Sequence, residues 1–282
     1  MPFAQLTNAN LHYYEYGTGP QRVVLIHGFE ASARIWQLVQ EDLSPEQYHT
    51  IAIDNRGAGE SSAPDDASDY GVGIFASDAL ELIDQLGWSD FTLVGHSLGG
   101  ATACIMALQR PELVKGLMLL DPVDPDGRTE TPEEIDVFFD AWATQRRVRL
   151  AAAVAADDDA DAGDASDASD DDRGESDFIR LLNADMAAAP DARLRGSLHS
   201  MCQLALGSAC ATLAMPILVA CGDADDTIPI SAMLATWAKF PKGTGLHVWH
   251  GAGHSPNMDM PGRFARVLGR FINKTIPRHQ GR

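Results

Sequence analysis

The chain has 282 residues, 45% of them hydrophobic, with a formal net charge of −19. That length holds one large α/β domain, or a core with a smaller appended unit. No apolar run reaches about 18 residues, which excludes a transmembrane helix, and an acidic balance with no offsetting basic patch disfavours nucleic acid as a partner.

In chain order, residues 3–6 and LHYYEYG (11–17) read as an antiparallel edge hairpin. Short apolar runs then recur: RVVLIHG (22–28), HTIAID (49–54), FTLVG (91–95), KGLMLLD (115–121), PILVACG (216–222) and GLHVWHG (245–251). Their Val, Ile and Leu content predicts fully buried parallel strands. Helical patterns lie between them at 32–43, 75–87, 98–111 and 230–240. Alternating strand and helix predicts an α/β fold: a mostly parallel sheet with helices on both faces.

The alternation breaks after Asp121. Thr131-Pro132-Glu133-Glu134 is a capping box with proline at the first helical position, and two more helical patterns follow. Residues 122–210 are therefore expected to form a helical cap inserted between core segments 1–121 and 211–282. Within the cap, residues 157–177 hold eleven acids and one arginine, more than half of the whole charge excess. So charged and apolar-poor a run predicts a flexible, solvated linker; the competing reading is a salt-sensitive lid.

The N-terminal stretch lacks a basic region followed by an apolar one, so no secretory signal is read there. The four cysteines, Cys104, Cys202, Cys210 and Cys221, are scattered. A reduced, cytoplasmic protein is the simplest expectation.

Gly95-His96-Ser97-Leu98-Gly99 fits G-x-S-x-G between an expected strand and an expected helix. A serine on such a tight turn projects above the sheet, and flanking glycines remove the Cβ clashes the turn would create. The following helix aims its free N–H groups and positive dipole end at the same place. Ser97 is thus the candidate nucleophile.

Five motifs stand in order: LIHGF (25–29), DNRGAGES (54–61), GHSLGG (95–100), GDADDTIP (222–229) and GAGHSPNMDMP (251–261). Together they resemble the α/β-hydrolase fold family over nearly the whole chain apart from 122–210. The resemblance implies a Ser…Asp…His triad. His254 matches the family's catalytic histidine, the base that takes the Ser97 proton. The pattern G-x-x-D-x-x-x-P places the acid at Asp225; Asp223 and Asp226 shape the turn. Some relatives carry the acid after the preceding strand, which here means Asp121 or Asp124. The backbone N–H groups of Phe29 and Leu98 are the candidate oxyanion donors.

His27, Phe138 and Trp142 are assigned to the substrate pocket, with His27 shaping its loop through hydrogen bonds rather than transferring protons. Met186 and Phe139 either line the same pocket or pack. His247 and His250 fall on opposite sides of a strand and no metal is expected. The G-x-G of DNRGAGES lacks the third glycine of a dinucleotide fingerprint and a P-loop lysine, so it reads as a structural loop.

The expected function is a cofactor-free serine hydrolase acting on a small-molecule ester, thioester or lactone through an acyl-enzyme. The alternatives are a carbon–carbon bond hydrolase of the same fold and a non-catalytic ligand-binding relative. Family members with an aspartate nucleophile, such as epoxide hydrolases, are disfavoured because position 97 is serine. The sequence leaves the natural substrate and the oligomeric state open.

Overall fold

A computed structural model of the chain describes residues 2–161 and 170–275. Residues 162–169 of the acidic run, and its side chains up to 176, lie outside the described residues, and with them the linker and lid readings of 157–177.

Eight strands form one sheet. They are β1 (Phe3–Gln5), β2 (Asn10–Tyr16), β3 (Gln21–Ile26), β4 (Tyr48–Ile53), β5 (Phe91–His96), β6 (Val114–Leu120), β7 (Ile217–Gly222) and β8 (Gly245–Trp249). Their order is β1-β2-β4-β3-β5-β6-β7-β8. β1 and β2 form the expected antiparallel edge, with β2 pairing β4 antiparallel. The other neighbours are parallel.

The central strands are predominantly apolar because both faces are covered, and their residues alternate between two cores. Val24, Ile26, Leu93, Leu117 and Leu119 face one core, which includes residues of α2 (Val72–Gln85) and α3 (Leu98–Gln109). Val23, Leu25, Val94, Met118 and Leu120 face the other with Trp36, Phe264 and Leu268. That face is covered by α1 (Gln37–Glu41) and α10 (Pro261–Thr275).

One expected helix differs. Residues 32–43 begin with a 3₁₀ turn at Ala33–Trp36 and only then become α1. The Ala33 amide is bonded to the Asp54 carboxylate, and the Ile35 carbonyl accepts from Asn257 Nδ2. Both backbone groups are drawn out of a regular helical ladder.

Between β6 and β7 lies the helical insertion: α4 (Pro132–Asp161), α5 (Asp170–Ala188), α6 (Asp191–Cys202) and α7 (Gly207–Cys210). The capping box forms as read: Thr131 Oγ1 accepts from the Glu134 amide, and Glu134 Oε2 accepts from the Thr131 amide at 2.7 Å. After β7 come α8 (Ile230–Trp237) and, after β8, α9 (Pro256–Asp259). No helix among the described residues is long and apolar enough to cross a membrane.

After β3 the chain moves outward to β4, then returns to place β5 on the other side of β3. In an open α/β sheet such a reversal opens a crevice at the carboxyl ends of the strands. The segments after β3 and β5 border it.

Candidate active site

Ser97 joins β5 to α3 with φ 54° and ψ −119°. Such a conformation costs a non-glycine residue roughly 1–3 kcal/mol and persists only where its surroundings enforce it. They do so through the backbone. Ser97 N donates to Leu120 O at 2.9 Å, and the Gly100 and Val123 amides donate to Ser97 O. A Cβ at Gly95 would lie 2.3 Å from Gly99 O, and one at Gly99 would lie 2.5 Å from the carbonyl oxygens of Ile26 and His27. The flanking glycines are thus needed for close approach of the α3 start to β5 and β3.

His254 follows β8, and its Nδ1 lies 2.7 Å from Asp225 Oδ2. Asp225 follows β7; its Oδ1 accepts from the Thr227 and Ile228 amides at 2.7 and 3.0 Å. Burial alone would raise this carboxyl. The hydrogen bonds from His254 and the two amides outweigh it and hold Asp225 below the usual carboxylate range. Of the three aspartates in GDADDTIP, only Asp225 is buried. Asp223 instead binds exposed His250 and the Gly251 amide, each at 2.7 Å. Asp124, one alternative acid, pairs with Lys239. Asp121, the other, lies beside Asp225 and His254: each of the three offers a side-chain atom within 4.8 Å of the others.

His96 is buried beside Ser97. Its Nε2–H donates to the His254 carbonyl at 2.8 Å, and the two rings are 4.9 Å apart. Burial, reinforced by repulsion from His254, pushes His96 down to about 3, so it stays neutral and braces the His254 backbone.

The segment after β3 lies against the same turn. A Cβ at position 28 would come within 3.1 Å of Ser97 Cβ. Among the described residues, the amides of Phe29 and Leu98 are not spent on backbone hydrogen bonds, so both remain available as donors.

His27 is not brought to the cavity. It is fully buried; Nδ1 lies 2.7 Å from Gly28 O, and Nε2 accepts from the Asn55 amide. Burial first, and the Arg193 charge second, keep it well below the ordinary histidine value. Its assignment to the pocket is corrected: both nitrogens are engaged in holding loops together. DNRGAGES is likewise structural. The Asp54 carboxylate binds the Ala33 and Glu60 amides and His12 Nδ1.

Two cavities meet at Ser97, and Phe29, Trp142 and Thr227 border both. One, of about 600 Å³, is mainly apolar, lined by Val123, Phe138, Leu198, Met201 and Ile228. The other, of about 570 Å³, is more polar: Glu30, Arg149 and Asn183 join Leu182, Met186 and His254. Phe138, Trp142 and Met186 therefore line space near Ser97, whereas Phe139 is packed against Ile135, Leu194 and Leu198 within the helical insertion.

The sequence reading missed the clamp on residues 29–34. Fully buried Arg193, on α6, donates from one nitrogen to Phe29 O and Ala31 O. Arg146 and Arg149 on α4 both bind Glu30. Asp185 on α5 accepts from Ser32 Oγ and Arg34 Nε. Three inserted helices thus grip the segment that carries the Phe29 amide. No sequence signal marks Arg193, which looks like any polar residue of an inserted helix.

Residues 21–261 match the model of the alpha/beta hydrolase fold family. The chain is 35% identical to bifunctional epoxide hydrolase 2 of Sus scrofa over 44% of its length, and spans 22% of that relative. It is 28% identical to an uncharacterised protein of Mycobacterium tuberculosis over 93% of this chain and 77% of that one. An esterase from Exiguobacterium antarcticum superposes with a TM-score of 0.78, at 22% identity, covering 96% of this chain and 98% of that one. The match of the family model over most of the sequence, and the eight-stranded sheet with its helical insertion, show that the chain belongs to the α/β-hydrolase fold family.

Proposed function

We propose that the chain is a cofactor-free serine hydrolase that cleaves a small-molecule carboxylic ester, thioester or lactone through an acyl-enzyme. One observation carries the reading: a strained, positive-φ serine shares a cavity with a histidine bonded to a buried, ionised aspartate. In this reading Ser97 Oγ attacks the carbonyl carbon while His254 Nε2 takes its proton. Asp225 fixes the ring and stabilises the imidazolium. The Phe29 and Leu98 amides hold the oxyanion, a contribution of about 3–4 kcal/mol per donor in comparable sites.

The two cavities then acquire roles. His254 must protonate the leaving oxygen or sulfur, and of the two cavities it borders the more polar one. The leaving group departs on that side, and the acyl group occupies the apolar cavity. Residues 1–121 and 211–282 form the core in this reading, and 122–210 the cap that shapes both cavities.

Epoxide hydrolase relatives do not change the assignment, because position 97 here is serine. The test is turnover of p-nitrophenyl acetate and butyrate by wild type and Ser97→Ala. Wild type is expected to exceed the variant by at least about a thousandfold. Equal, slow hydrolysis by both would defeat the reading.

A further inference from the structure

Asp121 directly follows β6 in an unusual state. It is a non-glycine residue with φ 41°, and it is fully buried. Its Oδ1 accepts from the Gly222 amide at 3.2 Å, while Oδ2 has no donor among the described residues. The ionisable groups around it are Asp225 beyond β7, Cys221 within β7 and His254 beyond β8. Asp225 already receives three hydrogen bonds that favour its ionised form. Asp121 receives one, so of two adjacent buried carboxyls it is the one that must keep a proton. Burial, and then the Asp225 charge, raise it to about 9.

We propose that Asp121 is a positioning residue: a neutral carboxylic acid whose Oδ2–H donates to Asp225 and so orients the carboxylate that orients His254. The proposal rests on the reading of Ser97, His254 and Asp225 as the catalytic groups. It accounts for the otherwise orphaned Oδ2, since two facing acceptor oxygens need a proton between them. It also gives Asp121 a latent second role. When position 225 is neutral, the second of the two forces that hold the proton on Asp121 is gone and only burial remains, and its carboxyl lies within 4.8 Å of a His254 ring nitrogen.

Four variants test this, with Ser97→Ala as the control for the parent reading. Asp121→Gly, chosen because glycine tolerates the positive φ, is expected to lower kcat about tenfold with little change in KM. Asp121→Asn restores most of that loss, because its amide still donates to Asp225 and its oxygen still accepts from Gly222. Asp225→Asn is expected to retain at least about tenfold more activity than Asp121→Asn combined with Asp225→Asn. The infrared carbonyl band of a protonated carboxyl at neutral pH, lost in Asp121→Asn, gives a readout independent of turnover.

The proposal is overturned if Asp121→Asn is as impaired as Asp121→Gly, or if the Asp225 single and double variants are equally inactive. It is also overturned if the infrared band is absent, or if chelator removes activity that zinc restores, which would assign the three side chains to a metal. Each of these outcomes leaves the serine reading standing as long as Ser97→Ala is inactive.

Discussion

Arg193, on α6 of the helical insertion, donates to the Phe29 and Ala31 carbonyl oxygens, each at 2.9 Å. Among the described residues its other two guanidinium nitrogens have no hydrogen-bond partner, and burial pulls the group down to about 10. A buried cation with so few partners is costly. It is retained where it fixes the backbone that carries the Phe29 amide, beside Ser97.

Arg193→Met is therefore expected to separate activity from stability. Losing the tether lets the 29–31 segment drift, and kcat should fall roughly tenfold to a hundredfold. Removing a poorly paired buried charge should leave the melting temperature little changed. Kinetics and thermal unfolding of the same preparation check this; an unchanged kcat would contradict it.

How much of this was legible in the sequence depends on the range of the interaction. Ser97 could be read because a strained strand-to-helix turn demands particular neighbours, and Gly95 and Gly99 supply them. Asp225 and His254 sit in short loops with their own turn residues. Asp121 could be read only as an alternative acid, and Arg193 not at all, because their burial is against residues over a hundred positions away in sequence. Phe138 and Phe139 show the same limit. They are adjacent on α4, yet Phe139 is 1% exposed and Phe138 51%. Helical spacing separates their directions but does not say which one faces the core. His27 was misassigned for a related reason: a histidine next to a cavity-lining glycine need not share its orientation.

Gly95→Ala tests the turn directly. The added methyl would meet Gly99 O at 2.3 Å, and backbone on both sides cannot give way cheaply. A destabilisation of about 1–3 kcal/mol is expected in urea unfolding, with most activity lost as the start of α3 shifts. Wild-type stability and turnover would show that the contact is not limiting.

Stability should depend on pH through His96. In the folded state burial and His254 hold it down to about 3, whereas unfolding returns it to about 6.5. Above pH about 6.5 it is neutral in both states and contributes no slope. As pH falls from about 6.5 toward 3, the unfolded chain binds a proton that the native one refuses, and stability drops by up to about 1.4 kcal/mol per pH unit. Denaturation of wild type and His96→Asn across this window should show the steeper loss in wild type. Parallel curves would contradict the assignment.

The apolar cavity makes a prediction about substrates. Ala232 on α8 lines it and lies away from His254's cavity. In Ala232→Trp the indole fills space an acyl chain would occupy. The ratio of kcat/KM for p-nitrophenyl octanoate over acetate should fall about tenfold or more. An unaltered ratio would move the acyl group to the polar side of Ser97.

The central claim is that Ser97 is the nucleophile. Labelling the purified protein with a fluorophosphonate and mapping the modified peptide by mass spectrometry tests it most directly. The account predicts one stoichiometric adduct on Ser97, absent from Ser97→Ala, with activity lost in step with labelling. An adduct on another residue, with Ser97 unmodified and activity abolished, would contradict it.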